Sequence, residues 1–287
     1  FDSTKILTGK STNEAAVEGK VNAGVFKITV TVPTMQKPIS FASGLVNKLT
    51  TDTTVTNALS NDNSGATVTY TSSNTAVATV DSTSGVATIV GAGSTTITAQ
   101  SHVEGMTDVY AAYTLNVSKK EITVTVSDQT IKYGAASPYD AVADLTFSET
   151  IDTTGITPTF STSYVVGKSV NEYAVRVTLP ESTKYSYVYV PGTLTVEPKT
   201  LTVDDFTVTA ADKTYDGTTN AAVTAVVKST SLVSGDTLTV TAVGSFADAN
   251  VANGKTVSYE ITGIYGAKAN NYTIGTVKGT ATANITK

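Results

Sequence analysis

The chain has one histidine and no cysteine, which narrows the chemistry it could perform. A Ser-His-Asp relay would have to run through His102. That residue lies in Ala99-Gln-Ser-His-Val-Glu-Gly105, which reads as a loop just after a strand, so His102 reads first as a surface group. Without Cys and without a helical His pair there is no ligand set for zinc. The carboxylates are scattered among turns, where a glycosidase-type pair would need two of them to meet in space. Asp204-Asp205 could help hold Ca²⁺ at a junction, but two adjacent acids fall far short of a ligand set. Gly91-Ala-Gly93 lacks the third glycine of a dinucleotide fingerprint and opens a strand, so it reads as a turn. We therefore expect no enzyme, no metal and no cofactor. The residues with most binding potential are Tyr185, Tyr187 and Tyr189, which share one face of a strand, with Val188 and Val190 on the other. One face should be core and the other accessible. An exposed tyrosine row could stack on sugar rings or on a neighbour, making these three the candidate ligand-binding residues. Packing within the core or between modules is the competing reading, and the absence of Trp weakens a carbohydrate platform.

The elements that would carry these residues are strands. In Gly192 to Gly217, Leu194 and Val196 alternate with Thr193 and Thr195 until Pro198, which cannot donate to a sheet ladder. Leu201 and Val203 resume the alternation after a break of two or three residues. One β domain therefore ends and another begins almost at once. The same design occurs at Tyr113 to Val126, interrupted by Ser118-Lys-Lys-Glu121. Asp128-Gln-Thr-Ile-Lys-Tyr133-Gly134 matches Asp212-Lys-Thr-Tyr215-Asp-Gly217, and Tyr185 to Thr195 matches Tyr272 to Thr282. Asp128 and Asp212 are 84 residues apart, Gly192 and Gly279 are 87 apart. Such a period suits a whole small β-sandwich rather than a solenoid coil. In Tyr133-Gly134 and Tyr215-Asp-Gly217, glycine is expected to supply a backbone geometry that a Cβ would obstruct. The tyrosine is expected to bury its ring and keep its hydroxyl bonded.

Composition agrees with serial β modules. Length alone allows two or three domains in 287 residues. Thr and Val favour strands, Gly, Asn, Asp and Ser favour turns, and no sustained 3.6-residue apolar stripe predicts a helix. The net charge of −5 argues against a nucleic-acid partner. No run of 18 apolar residues is long enough for a membrane-spanning helix, and no signal peptide is evident, as expected of a mature or excised segment.

Residues 1–33 form a leader. Within it Phe26, Ile28, Val30 and Val32 share one face of a predicted strand over Val25–Val32. Gly9-Lys-Ser-Thr-Asn-Glu-Ala-Ala-Val17 echoes Gly167-Lys-Ser-Val-Asn-Glu-Tyr-Ala-Val175. The leader could be the tail of a preceding domain, a strand lent to another chain, or a segment folded onto the next domain. Residues 34–118 follow. Here Ser72-Ser-Asn74, Val77-Ala-Thr-Val-Asp81, Gly85-Val-Ala-Thr88 and Gly91-Ala-Gly-Ser-Thr-Thr-Ile-Thr-Ala99 resemble the group 2 bacterial immunoglobulin-like domain. Residues 119–199, with Tyr133-Gly134 and Gly192-Thr-Leu-Thr-Val196, resemble the MBG domain of bacterial surface proteins. Residues 200–287 carry Asp212 to Thr219, Phe246-Ala-Asp-Ala-Asn250 and Ala269-Asn-Asn-Tyr272, and resemble the YDG domain.

These resemblances imply an all-β chain of three serial immunoglobulin-like or β-sandwich modules behind a strand-containing leader. They also imply an extracellular or bacterial cell-surface location and a non-catalytic stalk or adhesin segment. Its partners would be neighbouring domains or chains of the same type. A module that binds glycan or a host surface protein is the rival reading, and a filament subunit assembled by strand exchange is another. Strands of about 8 to 10 residues give modules roughly 30 to 40 Å long, so three in series would make a rod with a radius of gyration of about 30 to 35 Å. A single compact domain of this length would give roughly 19 Å.

Overall fold

The computed structural model describes residues 14–21, 24–31 and 34–287. Among the described residues every regular element longer than one 3₁₀ turn is a strand, as the Thr/Val alternation predicts. The leader strand is present as Gly24–Thr31, paired antiparallel with Glu14–Val21; Val32 lies outside the described residues. The chain divides into two compact units, the leader strands belonging to the first. One ends at Glu121 and includes Glu181–Ser186; the other comprises Ile122–Pro180 and Tyr187–Lys287.

In the first unit a four-stranded sheet runs in the order Leu45–Leu49, Val109–Ser118, Gly93–His102 and Thr67–Ser72. The three-stranded sheet Thr54–Val55, Ala87–Ile89 and Ala78–Val80 supplies the other half of the core. Ile97, Tyr113, Leu115 and Val117 from the larger sheet pack with Val55, Ala78 and Ala87 from the smaller. The period-2 pattern is direct along Gly93–His102, where Thr95, Ile97, Ala99 and Ser101 are buried in alternation. Ser101 is tolerated inside because its hydroxyl donates to Gln36 Oε1 at 2.8 Å.

The second unit contains two sandwiches. In one, the sheet Gln129–Lys132, Gly192–Glu197, Asn171–Thr178 and Thr159–Thr162 accompanies Leu145–Phe147 and the strands Lys120–Val126 and Tyr185–Val190, whose first two residues each belong to the first unit. In the other, five strands run in the order Lys213–Thr214, Val277–Thr286, Ala252–Tyr265, Thr239–Phe246 and Asn220–Ala221. The pairs Phe206–Ala210 with Val223–Val227, and Lys199–Leu201 with Tyr272–Ile274, complete it. All three modules share one device, a short early strand laid parallel to the module's last strand. The breaks are tighter than the sequence suggests. Lys119 alone separates Val109–Ser118 from Lys120–Val126, and Pro198 alone separates Gly192–Glu197 from Lys199–Leu201. Proline stops the first ladder by lacking an N–H, and one residue later the chain is already paired to Tyr272–Ile274.

Candidate functional site, a tyrosine and aspartate cluster between modules

Within the second unit, a group of polar contacts around buried side chains lies where the second module meets the third. Tyr133 follows the strand Gln129–Lys132, and its N–H donates to Glu197 O at 2.8 Å. Gly134 then adopts φ +88°, which a side chain would resist, and a Cβ there would strike Val233 Cγ2. The turn is thus bare enough for Val233 of the third module to sit on it. Tyr133 is 2% exposed and meets Tyr272 edge-on, with ring centroids 5.4 Å apart and planes at 78°.

Asp236 joins the two phenols. Its Oδ2 accepts from the Tyr272 hydroxyl at 2.7 Å and from the Tyr133 hydroxyl at 2.9 Å. Tyr272 Oη in turn accepts the Val233 N–H at 2.8 Å, and Gly167 O offers Tyr133 a second acceptor at 3.2 Å. Asn271, 3% exposed, accepts the Val170 N–H on Oδ1 at 2.9 Å. Lys199 Nζ donates to Ser231 O at 2.7 Å, fixing the start of the third module. Burial first, and the Asp236 carboxylate second, push the Tyr133 hydroxyl up to about 12. Burial also raises Tyr272, with the Asp236 carboxylate adding to it, while the bond from the Val233 N–H works against them. Both phenols therefore stay protonated and donate. The Asp236 Oδ2 atom thus ties the two modules together as the shared acceptor of both hydroxyls.

The tyrosine row divides along its strand. Tyr185 and Tyr187 are half-buried, while Val188 and Val190 on the opposite face are exposed. Tyr185 lines a depression of about 520 Å³ in the first unit with Thr50, Asp52, Ile89 and Lys184. Tyr187 and Tyr189 stack obliquely at 6.2 Å, and the 38% exposed Tyr189 accepts the Leu179 N–H at 3.0 Å. His102 ends the strand Gly93–His102 rather than lying in a loop. Its Nδ1 is 2.7 Å from Asp108 Oδ1 and its Nε2 is 3.8 Å from Glu104 Oε2, so both nitrogens face carboxylates. Asp205 closes a 3₁₀ turn by accepting the Thr202 N–H at 2.6 Å. The Ser231 hydroxyl, first, and that amide hold its carboxyl below the usual range. Among the described residues no three His, Cys, Asp or Glu side chains are placed to hold a metal ion, and no helix is long and apolar enough to cross a membrane. Tyr215 departs from the sequence reading: it is 56% exposed where Tyr133 is buried.

Sequence reasoning singled out Tyr133, Gly134 and Ala269-Asn-Asn-Tyr272 as repeat signals without bringing them together. It missed Val233, Asp236 and Val170. Asp236 sits in Val233-Ser-Gly-Asp236, which as a string resembles any surface turn. The one available hint was that a buried tyrosine needs a hydroxyl partner from somewhere.

Three family models match the chain in series. Residues 54–102 match the intimin immunoglobulin-like domain, 122–195 the MBG domain of the YGX type, and 197–283 the YDG domain. No curated protein matches it. Similar solved structures include Drosophila N-cadherin EC1-3, at 12% identity and TM-score 0.22 over 56% of this chain and 68% of that one. Protocadherin gammaB7 EC3-6 is similar at 10% identity and TM-score 0.28, over 87% of this chain and 73% of that one. In the order of its sequence, this chain carries an intimin-type immunoglobulin-like domain, an MBG domain and a YDG domain.

Proposed function

We propose that the chain is a non-catalytic structural segment of a bacterial cell-surface protein, a stalk that holds other parts of the protein in fixed register outside the cell. The observation that carries this reading is the Tyr133–Asp236–Tyr272 cluster beside a one-residue linker. A flexible tether needs neither a buried, fully bonded phenol pair nor a proline between two paired strands. The families of its domains, those of surface and adhesin-type proteins, agree with the reading.

NMR relaxation on the full chain tests it. The second and third modules should tumble as one body, and Asp236→Ala should give them separate correlation times. Independent tumbling in the unmodified protein would remove the basis for a stalk. The rival, a glycan- or host-protein-binding module using Tyr185, Tyr187 and Tyr189, is tested on a glycan array. Saturable binding lost in Tyr187→Ala would favour it.

A further inference from the structure

The third module carries its own copy of the surface by which the second module holds it. Gln129–Lys132 runs parallel to Gly192–Glu197, and the Tyr133 N–H donates to Glu197 O at 2.8 Å. Lys213–Thr214 runs parallel to Val277–Thr286, and the Tyr215 N–H donates to Thr286 O at 2.9 Å. Next to this pair, Asn171 lies opposite Val196 and Ala252 lies opposite Ile285. Val170 and Val251, each one residue earlier, therefore hold equivalent places. An aspartate pins the last strand in both modules: Asp128 Oδ1 accepts the Thr193 N–H at 2.7 Å, and Asp212 Oδ1 accepts the Asn284 N–H at 2.6 Å.

The two surfaces differ in what covers them. Tyr133 is 2% exposed and Tyr215 is 56% exposed. Val170 is half-buried and bonded to Asn271, whereas Val251 is 43% exposed. Gly134 lies against Val233, while Gly217, with the same kind of backbone at φ +79°, faces open space. The third module also has one more residue in the turn, Asp216. Lys213 Nζ holds its Oδ1 at 2.7 Å, and its carboxyl falls to about 2 chiefly through that bond. An incoming carboxylate would therefore meet a paired charge.

We propose that Tyr215, Gly217 and Val251 form a docking surface for another β-sandwich module of the third module's kind. The occupant would bring counterparts of Val233, Asp236, Asn271 and Tyr272. Its aspartate would accept the Tyr215 hydroxyl, its valine would cover Gly217, and its asparagine would accept the Val251 N–H. A whole second copy of the chain cannot offer that face through its third module, because its own Tyr133 already fills it. This inference stands on the repeat and holds whether or not the segment is a stalk.

The test fuses a second copy of Lys199–Lys287 directly after Lys287, which then takes the place of Pro198. Nitration by tetranitromethane, located by mass spectrometry, and hydrogen exchange are read at Tyr215 in the parent and the fusion. Tyr215 should react readily in the parent and fall to the rate of Tyr133 in the fusion. Replacing the added counterpart of Asp236 by Ala should restore the parent rate. Equal reactivity in parent and fusion, with the added copy's last strand exchanging as slowly as Val277–Thr286, would overturn the proposal. A second variant needs no added module: an aspartate inserted between Tyr133 and Gly134 gives the second module the turn of the third. The tyrosine of that graft should stay as unreactive as Tyr133; reactivity equal to that of Tyr215 in the same chain would show that the longer turn cannot seat the partner.

Discussion

Asp236→Ala should uncouple the second module from the third. The substitution removes the acceptor of two hydroxyl bonds, at 2.7 and 2.9 Å. A hydrogen bond to a charged group contributes about 1.5–3 kcal/mol, so the gross loss is about 3–6 kcal/mol. Two features reduce it. Asp236 is only half-buried, so water can replace part of the carboxylate's role. Tyr133 retains Gly167 O at 3.2 Å, and the Tyr272 oxygen still accepts the Val233 N–H. A net loss of about 2–3 kcal/mol of intermodular stabilisation remains. Asp236→Asn keeps an acceptor and should cost about 1 kcal/mol, the worth of an ordinary neutral bond.

The assay is urea unfolding followed by circular dichroism, with hydrogen exchange read at Gln129–Lys132 and Tyr272–Ile274. The unmodified chain should lose these segments together, and Asp236→Ala should let one exchange before the other. A double-mutant cycle with Tyr272→Phe should return a coupling energy of about 1 kcal/mol or more, since the two residues share a direct bond. If both Asp236 variants stay within about 0.5 kcal/mol of the parent and the exchange order is unchanged, the cluster does not hold the modules together.

Gly134→Ala should destabilise the same junction by about 1–2 kcal/mol from the left-handed backbone, plus the displacement of Val233; Val233→Ala should recover only the second part in urea melts. Stability should fall as pH rises from about 10 towards 12. The sign follows from Tyr133 and Tyr272, whose folded-state values lie above the ordinary 10.0, so the unfolded chain loses these protons first. Tyr133→Phe should flatten that slope in pH-dependent melts, and a slope that is unchanged would separate the titration from the cluster. His102 should titrate above 6.5 by NMR, because its bond to the accepting Asp108 carboxylate favours its charged form, and Asp108→Asn should lower it.

What the sequence disclosed and what it hid have a common physical cause. Alternation along Gly93–His102 or Gly192–Glu197 is local, because neighbouring residues in a strand point to opposite faces and one of those faces is core. The module period, the stop at Pro198 and the resemblances rest on strings of the same kind, short and contiguous. The cluster is not local: Tyr133 and Asp236 are 103 residues apart, and Val170 and Asn271 are 101 apart. No periodicity spans such a distance. A buried phenol announces that it needs a partner without saying which. The tyrosine row shows the same limit, since alternation put Tyr185, Tyr187 and Tyr189 on one face but could not say how deeply each would be covered. Tyr215 shows it most sharply. Its N–H bonds the last strand of its module as that of Tyr133 does, so local sequence assigns both the same burial. Their exposures of 56% and 2% differ because Tyr133 has another module laid over it. Burial of these motif tyrosines is therefore a property of the junction and not of the motif, and a tyrosine of this repeat can be read as buried only when its covering module is known.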